Sequence, residues 1–185
     1  VSVIDELPPN RKEIKTIHKY DKEISQVLKF LYSELEKSKQ VYIVYPLIEE
    51  SKTLDYKNLL AGYDQFKDIF HERGFKISMV HGRLKKDDKE KEMLRFLNKE
   101  THIMVATTVI EVGVNVPNAT IMVIQNAEKF GLSQLHQLRG RVGRGSDKSY
   151  CFLITSNKLT NDAKVRLKAM VDSSDGFNIA EIDLK

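Results

Sequence analysis

The 185-residue sequence has one cysteine, no tryptophan and four prolines. None of its apolar runs approaches the roughly 20 residues that span a membrane. The lone Cys151 excludes an internal disulfide and suits a reducing compartment, the cytoplasm. The opening VSVIDELPPNRKEIK lacks the apolar stretch of a signal peptide. It also lacks an initiator methionine, and so reads as mid-chain sequence from a longer protein. No glycine is followed by lysine, which excludes a Walker A phosphate loop. Asp5–Glu6 after VSVI imitate a Walker B strand end, but no phosphate loop precedes them and Pro8–Pro9 follow at once. His81 has no cysteine or histidine partner at metal-ligand spacing, so no metal site is expected. Neither sign of charge dominates: 30 basic against 26 acidic residues leave +4, which permits a nucleic-acid partner without demanding one. With 41% hydrophobic and 30% charged residues, the chain is neither disordered nor fibrous.

What is present is an alternation of helical and strand patterns. Residues 1–19, with Pro8 and Pro9, read as an extended linker. Ile24, Val27, Leu28, Leu31 and Leu35 recur at helical spacing within 21–39. VYIVYPLI (41–48) is a β-branched, aromatic run typical of a buried strand. Leu59, Tyr63, Phe66 and Phe70 predict a helix stopped by Gly74. Strands follow at 75–80, 102–107, 120–125 and 150–156. Between them lie a helix carrying Met93, Leu94 and Leu97, opened by an Asp87–Glu90 capping box, and a helix over 133–144. Such alternation predicts a parallel sheet covered on both faces over 20–157, with ligands beyond the carboxyl ends of its strands. The loops after 75–80 and 102–106, and the one before Ser133, are expected along that edge. In the tail, 158–185, Ala163, Leu167, Met170 and Val171 form a helical stripe after Thr160, an N-cap candidate. The chain then turns at Gly176, which predicts a helical hairpin.

The segment HQLRGRVGRG (136–145) places three arginines and three glycines in ten residues. On a helix, Gln137, Arg141 and Arg144 fall at i, i+4 and i+7 and share one face. Leu135, Leu138 and Val142 lie opposite and can pack on the sheet. Gly140 and Gly143 clear space beside the arginines for a ligand or a second domain. Arginine's planar, permanently charged fork suits phosphate, and a focused pair suits the charge that develops in phosphoryl transfer. A solvated basic face is the competing reading. GRVGRG has the wrong glycine spacing for a dinucleotide fingerprint, which weighs against an oxidoreductase.

QLRGRVGR resembles motif VI of the superfamily 2 helicases. VATTVIEVGVNVPNA (105–119) resembles their motif V, MVHGRL (79–84) motif IVa and VYIVYPLIEES (41–51) motif IV. The long form of motifs V and VI is similar to two families of double-stranded DNA translocase, the RecG type and the Mfd type. VSVIDELPPNRK, HGRLK and DSSDGFNIAEIDLK favour the RecG type, whose tail hairpin is called the TRG motif. The loop expected after that hairpin would follow Lys185, so the TRG resemblance is partial.

The resemblance implies a RecA-like second motor lobe without a phosphate loop of its own, plus part of the TRG hairpin. ATP and Mg2+ would be held mainly by a first RecA-like lobe, and none is expected in this chain alone, which would hydrolyse no ATP. The partners implied are that first lobe and branched double-stranded DNA, with no membrane. Arg144 is the candidate arginine finger, with Arg141 on the same phosphate and Gln137 organising both. Gly113 and Asn115 would sit at the nucleotide edge of motif V, and Glu111 would tie motif V to motif VI. Asn115 stands where the RecG type usually carries aspartate; it keeps an acceptor oxygen and loses the charge. Thr107, Thr108, His81, Gly82 and Arg83 would hold the DNA backbone without reading sequence. Arg166 would couple the tail to DNA movement. A non-catalytic RecA-like module that binds a phosphorylated partner stays open as an alternative.

Overall fold

The computed structural model describes residues 14–107, 116–143, 145 and 147–173, the side chain of Glu49 excepted. Among these residues six strands and five α-helices follow in chain order, alternating except where β5 succeeds β4: β1 (Ile14–Tyr20), α1 (Ile24–Glu36), β2 (Gln40–Tyr45), α2 (Lys52–His71), β3 (Ile77–Val80), α3 (Lys86–Leu97), β4 (Ile103–Thr107), β5 (Ala119–Ile124), α4 (Leu132–Arg139), β6 (Ser149–Thr155) and α5 (Asn161–Asp172). The strands form one sheet of order β1-β6-β5-β2-β4-β3, parallel at every pairing.

β2 shows why the sheet is covered on both sides. All six of its residues are buried, as the continuous β-branched and aromatic run requires. Val41, Ile43 and Tyr45 pack with Val27, Leu31 and Leu35 of α1 and Leu59, Phe66 and Phe70 of α2. Tyr42 and Val44 point to the other face, where Met93 and Phe96 of α3, Leu135 of α4 and Leu167 and Met170 of α5 complete a second core. The period-two alternation of the strand thus meets the i, i+4 stripes of helices from both sides. Gly62 of α2 lies where any added Cβ would collide with the Tyr45 ring, so that helix seats closely on β2.

Local signals account for several boundaries. Gly74 ends the α2 turn with φ +84° and donates its N–H to His71 O at 2.9 Å. Thr160 caps α5, its hydroxyl accepting from Ala163 N at 3.1 Å. Elsewhere the structure departs from the pattern. The stretch 14–19, read as linker, is extended but lies in β1, the edge strand beside β6. α3 begins at Lys86, one residue before Asp87, with no side-chain cap. Asp87 therefore sits inside the first turn, where its charge meets the helix dipole. Met93 and Phe96 take the buried side, so Leu94, one position round, faces solvent at 52% exposure. Val171 likewise turns outward at the end of α5, whereas Ala163, Leu167 and Met170 are buried. Of the expected tail hairpin, α5 is the described part; 174–185 lie outside the described residues.

The largest departure concerns the arginine segment. α4 spans Leu132–Arg139, with Gly140 as its C-cap, rather than 133–144. Gly143 then adopts φ +79°, a conformation that does not continue a helix. Gln137 and Arg141 therefore do not share a helical face, although Leu135 and Val142 are buried as expected and Leu138 packs against the core.

Candidate nucleic-acid and nucleotide interfaces

In a parallel sheet, all carboxyl ends share one edge, and the residues leaving β3 and β4 meet there. Val80 pairs with Ala106, and Tyr45 pairs with Thr107, so His81 and Thr107 emerge side by side. His81 is buried and folds back into its own loop: its Nδ1 accepts from Arg83 N at 3.1 Å, and Leu84 N donates to His81 O at 3.2 Å. Burial, then the nearby Arg83 and Lys89, lowers the His81 pKa from the ordinary 6.5, which keeps the imidazole neutral and its Nδ1 an acceptor. The His81 ring lies edge-on to Tyr56 at 4.9 Å between centroids. Arg83 is exposed, with its guanidinium over the same Tyr56 ring at 4.1 Å. A Cβ on Gly82 would meet nothing within 4 Å, so the backbone there is open to a ligand. Thr107 is buried, and its hydroxyl has no hydrogen-bond partner among the described residues. Thr108, next in the chain, lies outside them.

The loop after β2 borders the same edge. Its organiser is Asp55, which the sequence did not single out. This buried carboxylate accepts from Ile48 N at 2.9 Å and Ser51 Oγ at 2.8 Å. Lys129, in the turn after β5, approaches its other oxygen at 3.5 Å. That ion pair ties the loop after β2 to the loop before Ser133.

The glycine–arginine segment occupies the opposite edge. Because α4 starts beyond the carboxyl end of β5 and β6 must begin at the amino edge, α4 and the turn at 140–143 carry the chain back toward that edge. Gln137 is exposed in the last turn of α4, and Arg141 is half-buried in the turn that follows. A Cβ on Gly145 would stand 3.0 Å from Pro117 O, so this segment runs against the stretch that enters β5. Residues 105–119 thus begin beside His81 and end beside Gly145. Glu111, Gly113, Asn115 and Arg144 lie outside the described residues.

Sequence reasoning missed Arg139. It is 1% exposed, and its Nη1 donates to Thr16 Oγ1 at 3.1 Å, Met170 O at 2.9 Å and Ser173 O at 2.9 Å, with Ser173 Oγ 3.3 Å from both Nη1 and Nη2. One guanidinium so joins α4 to β1 and to the carbonyls at the end of α5. The signal was present: Leu132, Leu135 and Arg139 fall at i, i+3 and i+7, which puts the arginine on the buried stripe. Arg166, expected to serve the tail, is half-buried and donates from Nη2 to Glu128 O at 3.1 Å. Glu128 in turn accepts from Ser156 N at 3.1 Å and Ser156 Oγ at 2.9 Å. Cys151 is buried in β6, where burial pushes its thiol pKa up to about 12, so it is packing rather than a nucleophile. Among the described residues, no group of three or more His, Cys, Asp or Glu is arranged to hold a metal ion, and no helix is long and apolar enough to cross a membrane.

An all-parallel sheet of this kind, with one basic loop at its carboxyl edge, a glycine–arginine segment at the other and no phosphate loop, defines a RecA-like helicase C-terminal lobe. The chain belongs to the helicase conserved C-terminal domain family, whose pattern matches residues 22–146. Within it the likeness is of RecG type along the whole chain: 54% identity to ATP-dependent DNA helicase RecG of Synechocystis sp., covering 100% of this chain and 22% of that protein. A solved structure of RecG bound to a three-way DNA junction superposes with a TM-score of 0.80 at 42% identity, covering 97% of this chain and 23% of that one. The yeast DEAD-box splicing factor Prp28 shares the fold at 19% identity and a TM-score of 0.67, over 91% of this chain and 34% of its own. The chain spans 22–27% of the length of the curated relatives it matches.

Proposed function

We propose that this chain is the second motor lobe of a cytoplasmic, ATP-dependent translocase of double-stranded DNA that acts on branched substrates in recombination and repair. The observation that carries it is the placement of two arginine-bearing segments at opposite ends of one sheet. His81, Gly82 and Arg83 stand at the carboxyl edge, and the Arg141 segment stands at the amino edge beside residues 116–118. Residues 105–119 connect the two. A motor needs this separation, because a grip on DNA must respond to chemistry performed elsewhere.

At the carboxyl edge, Arg83 and the open backbone of Gly82 fit a DNA phosphate. Phosphate contacts carry no sequence information, which suits a protein that must release and rebind at each step. At the amino edge, Arg141 and Gly143 fit the phosphate side of a nucleotide: a half-buried arginine close to a backbone in a glycine conformation. Arg144 is the residue we assign as the arginine finger, with Gln137 as its organiser. Gly113, Asn115 and Glu111 are assigned to the nucleotide end of motif V, and Thr107 and Thr108 to its DNA end. ATP supplies the free energy of phosphoryl transfer, and it and Mg2+ would be held mainly by a first RecA-like lobe. Similarity to RecG-named proteins along the full chain supports the RecG reading over an Mfd-type translocase or a non-catalytic phosphate-binding module.

The test is Arg144→Ala in the full-length protein. ATP affinity should be retained while the hydrolysis rate falls steeply; supplied arginine fingers are worth roughly 10³ to 10⁵ in rate in GTPases. Lost ATP affinity with unchanged turnover would overturn the finger assignment.

A further inference from the structure

We infer that Tyr56 is a positioning residue for DNA-backbone contact, acting as the platform that holds the Arg83 guanidinium; this rests on the reading of the His81 loop as a phosphate-binding loop. Three observations converge on this ring. Arg83 stacks on it at 4.1 Å. His81, whose Nδ1 accepts from Arg83 N, packs edge-on against it at 4.9 Å and an interplanar angle of 78°. No hydrogen bond or ion pair among the described residues involves the Arg83 guanidinium. An arginine stacked on an aromatic face keeps its donors in the guanidinium plane, directed away from the ring and free to meet a planar acceptor. The long side chain is thereby restrained before any ligand arrives, so less freedom is lost when a phosphate binds.

The platform is itself anchored. Tyr56 follows Asp55, whose buried carboxylate collects Ile48 N and Ser51 Oγ and faces Lys129. The start of α2 is therefore fixed to both neighbouring loops of the carboxyl edge, and the Tyr56 ring with it. Arg83 and Lys89 both lie close enough to His81 to act on it electrostatically. A phosphodiester approaching the open Gly82 backbone would meet a cation already oriented by Tyr56.

The experiment is an anisotropy titration of two labelled duplexes of unrelated sequence, at several salt concentrations, with the full-length protein. Arg83→Ala should weaken both complexes equally and lower the salt slope by about one. Tyr56→Leu should weaken binding about two- to fivefold, the worth of an exposed cation–π contact, and Tyr56→Phe should restore it. Adding Tyr56→Leu to Arg83→Ala should cost nothing further, because the platform then has nothing to hold. If Tyr56→Leu binds like wild type, or weakens binding equally with and without Arg83, the inference fails while the phosphate reading stands. If Arg83→Ala keeps wild-type affinity and slope, the phosphate reading fails and the inference with it. Melting curves accompany each variant. Should Tyr56→Leu fold poorly, Tyr56→Gln, which also removes the ring from this half-buried helical position, goes through the same comparison.

Discussion

Arg139 and Arg141 stand two residues apart in one glycine-rich segment, yet the fold uses them in opposite ways. Arg139 ends α4 on its buried stripe, where Thr16, Met170 and Ser173 accept from its guanidinium. Arg141 falls beyond the Gly140 cap, in a half-buried turn near the amino edge. The difference comes from a rotation of about 100° per residue on the helix and from the break that follows it. A run of arginines is therefore not one functional unit. The residue on the buried stripe holds the fold, and the residue beyond the cap stands half-buried in a turn outside the helix.

Substitutions that grade these roles should separate the arginines by stability. Arg139→Leu should have the largest effect, since it takes the guanidinium donor from two buried carbonyls and two hydroxyls. A loss of about 3–5 kcal/mol is expected, as when one side of a buried polar network is removed. In a chain of this size that lowers the melting temperature by roughly 6–20 °C. A melting temperature within a degree of wild type would show that Arg139 is no structural hub.

Arg166→Ala removes one bond to a carbonyl from a half-buried side chain, and about 1 kcal/mol is expected. In the full-length protein it should retain most DNA-stimulated ATPase activity and unwind branched DNA poorly, since the bond to Glu128 O ties α5 to the lobe. Equal loss of both activities would point to a folding or nucleotide defect instead. Arg141→Ala should be the mildest for stability, about 1 kcal/mol or less, since this side chain is half-buried in a turn rather than enclosed. Its effect should fall on ATP hydrolysis by the full-length protein. Destabilisation on the scale of Arg139→Leu would erase the distinction between the two arginines.

Much of the fold was legible because periodicity reports burial directly. The strands at 41–48, 75–80, 102–107, 120–125 and 150–156 each appear within a few residues, and the stripe at Val27, Leu31 and Leu35 marks α1 correctly. β1 was harder to read. IKTIHKY alternates weakly, and its place in the sheet comes from pairing with β6, a partner more than a hundred residues away. The capping box at Asp87 failed for a local reason, since the helix starts two residues earlier, with Lys85 at the N-cap, and the carboxylate is moved out of capping position.

Among the site residues, the sequence alone determined which chemistry is present. Histidine, glycine and arginine follow β3, threonine ends β4, and arginines with glycines follow α4. It also determined that no phosphate loop accompanies them, because that loop needs a contiguous Gly-Lys that never occurs. Tertiary structure alone decided how those residues divide. Only the parallel sheet sends the His81 loop and the Arg141 turn to opposite edges, and only packing reveals Tyr56 beneath Arg83 and Asp55 between two loops. The reason is physical: a residue's type and its spacing along one helix or strand are local. Whether its donors are enclosed by neighbours or left for a ligand depends on contacts between segments far apart in the chain.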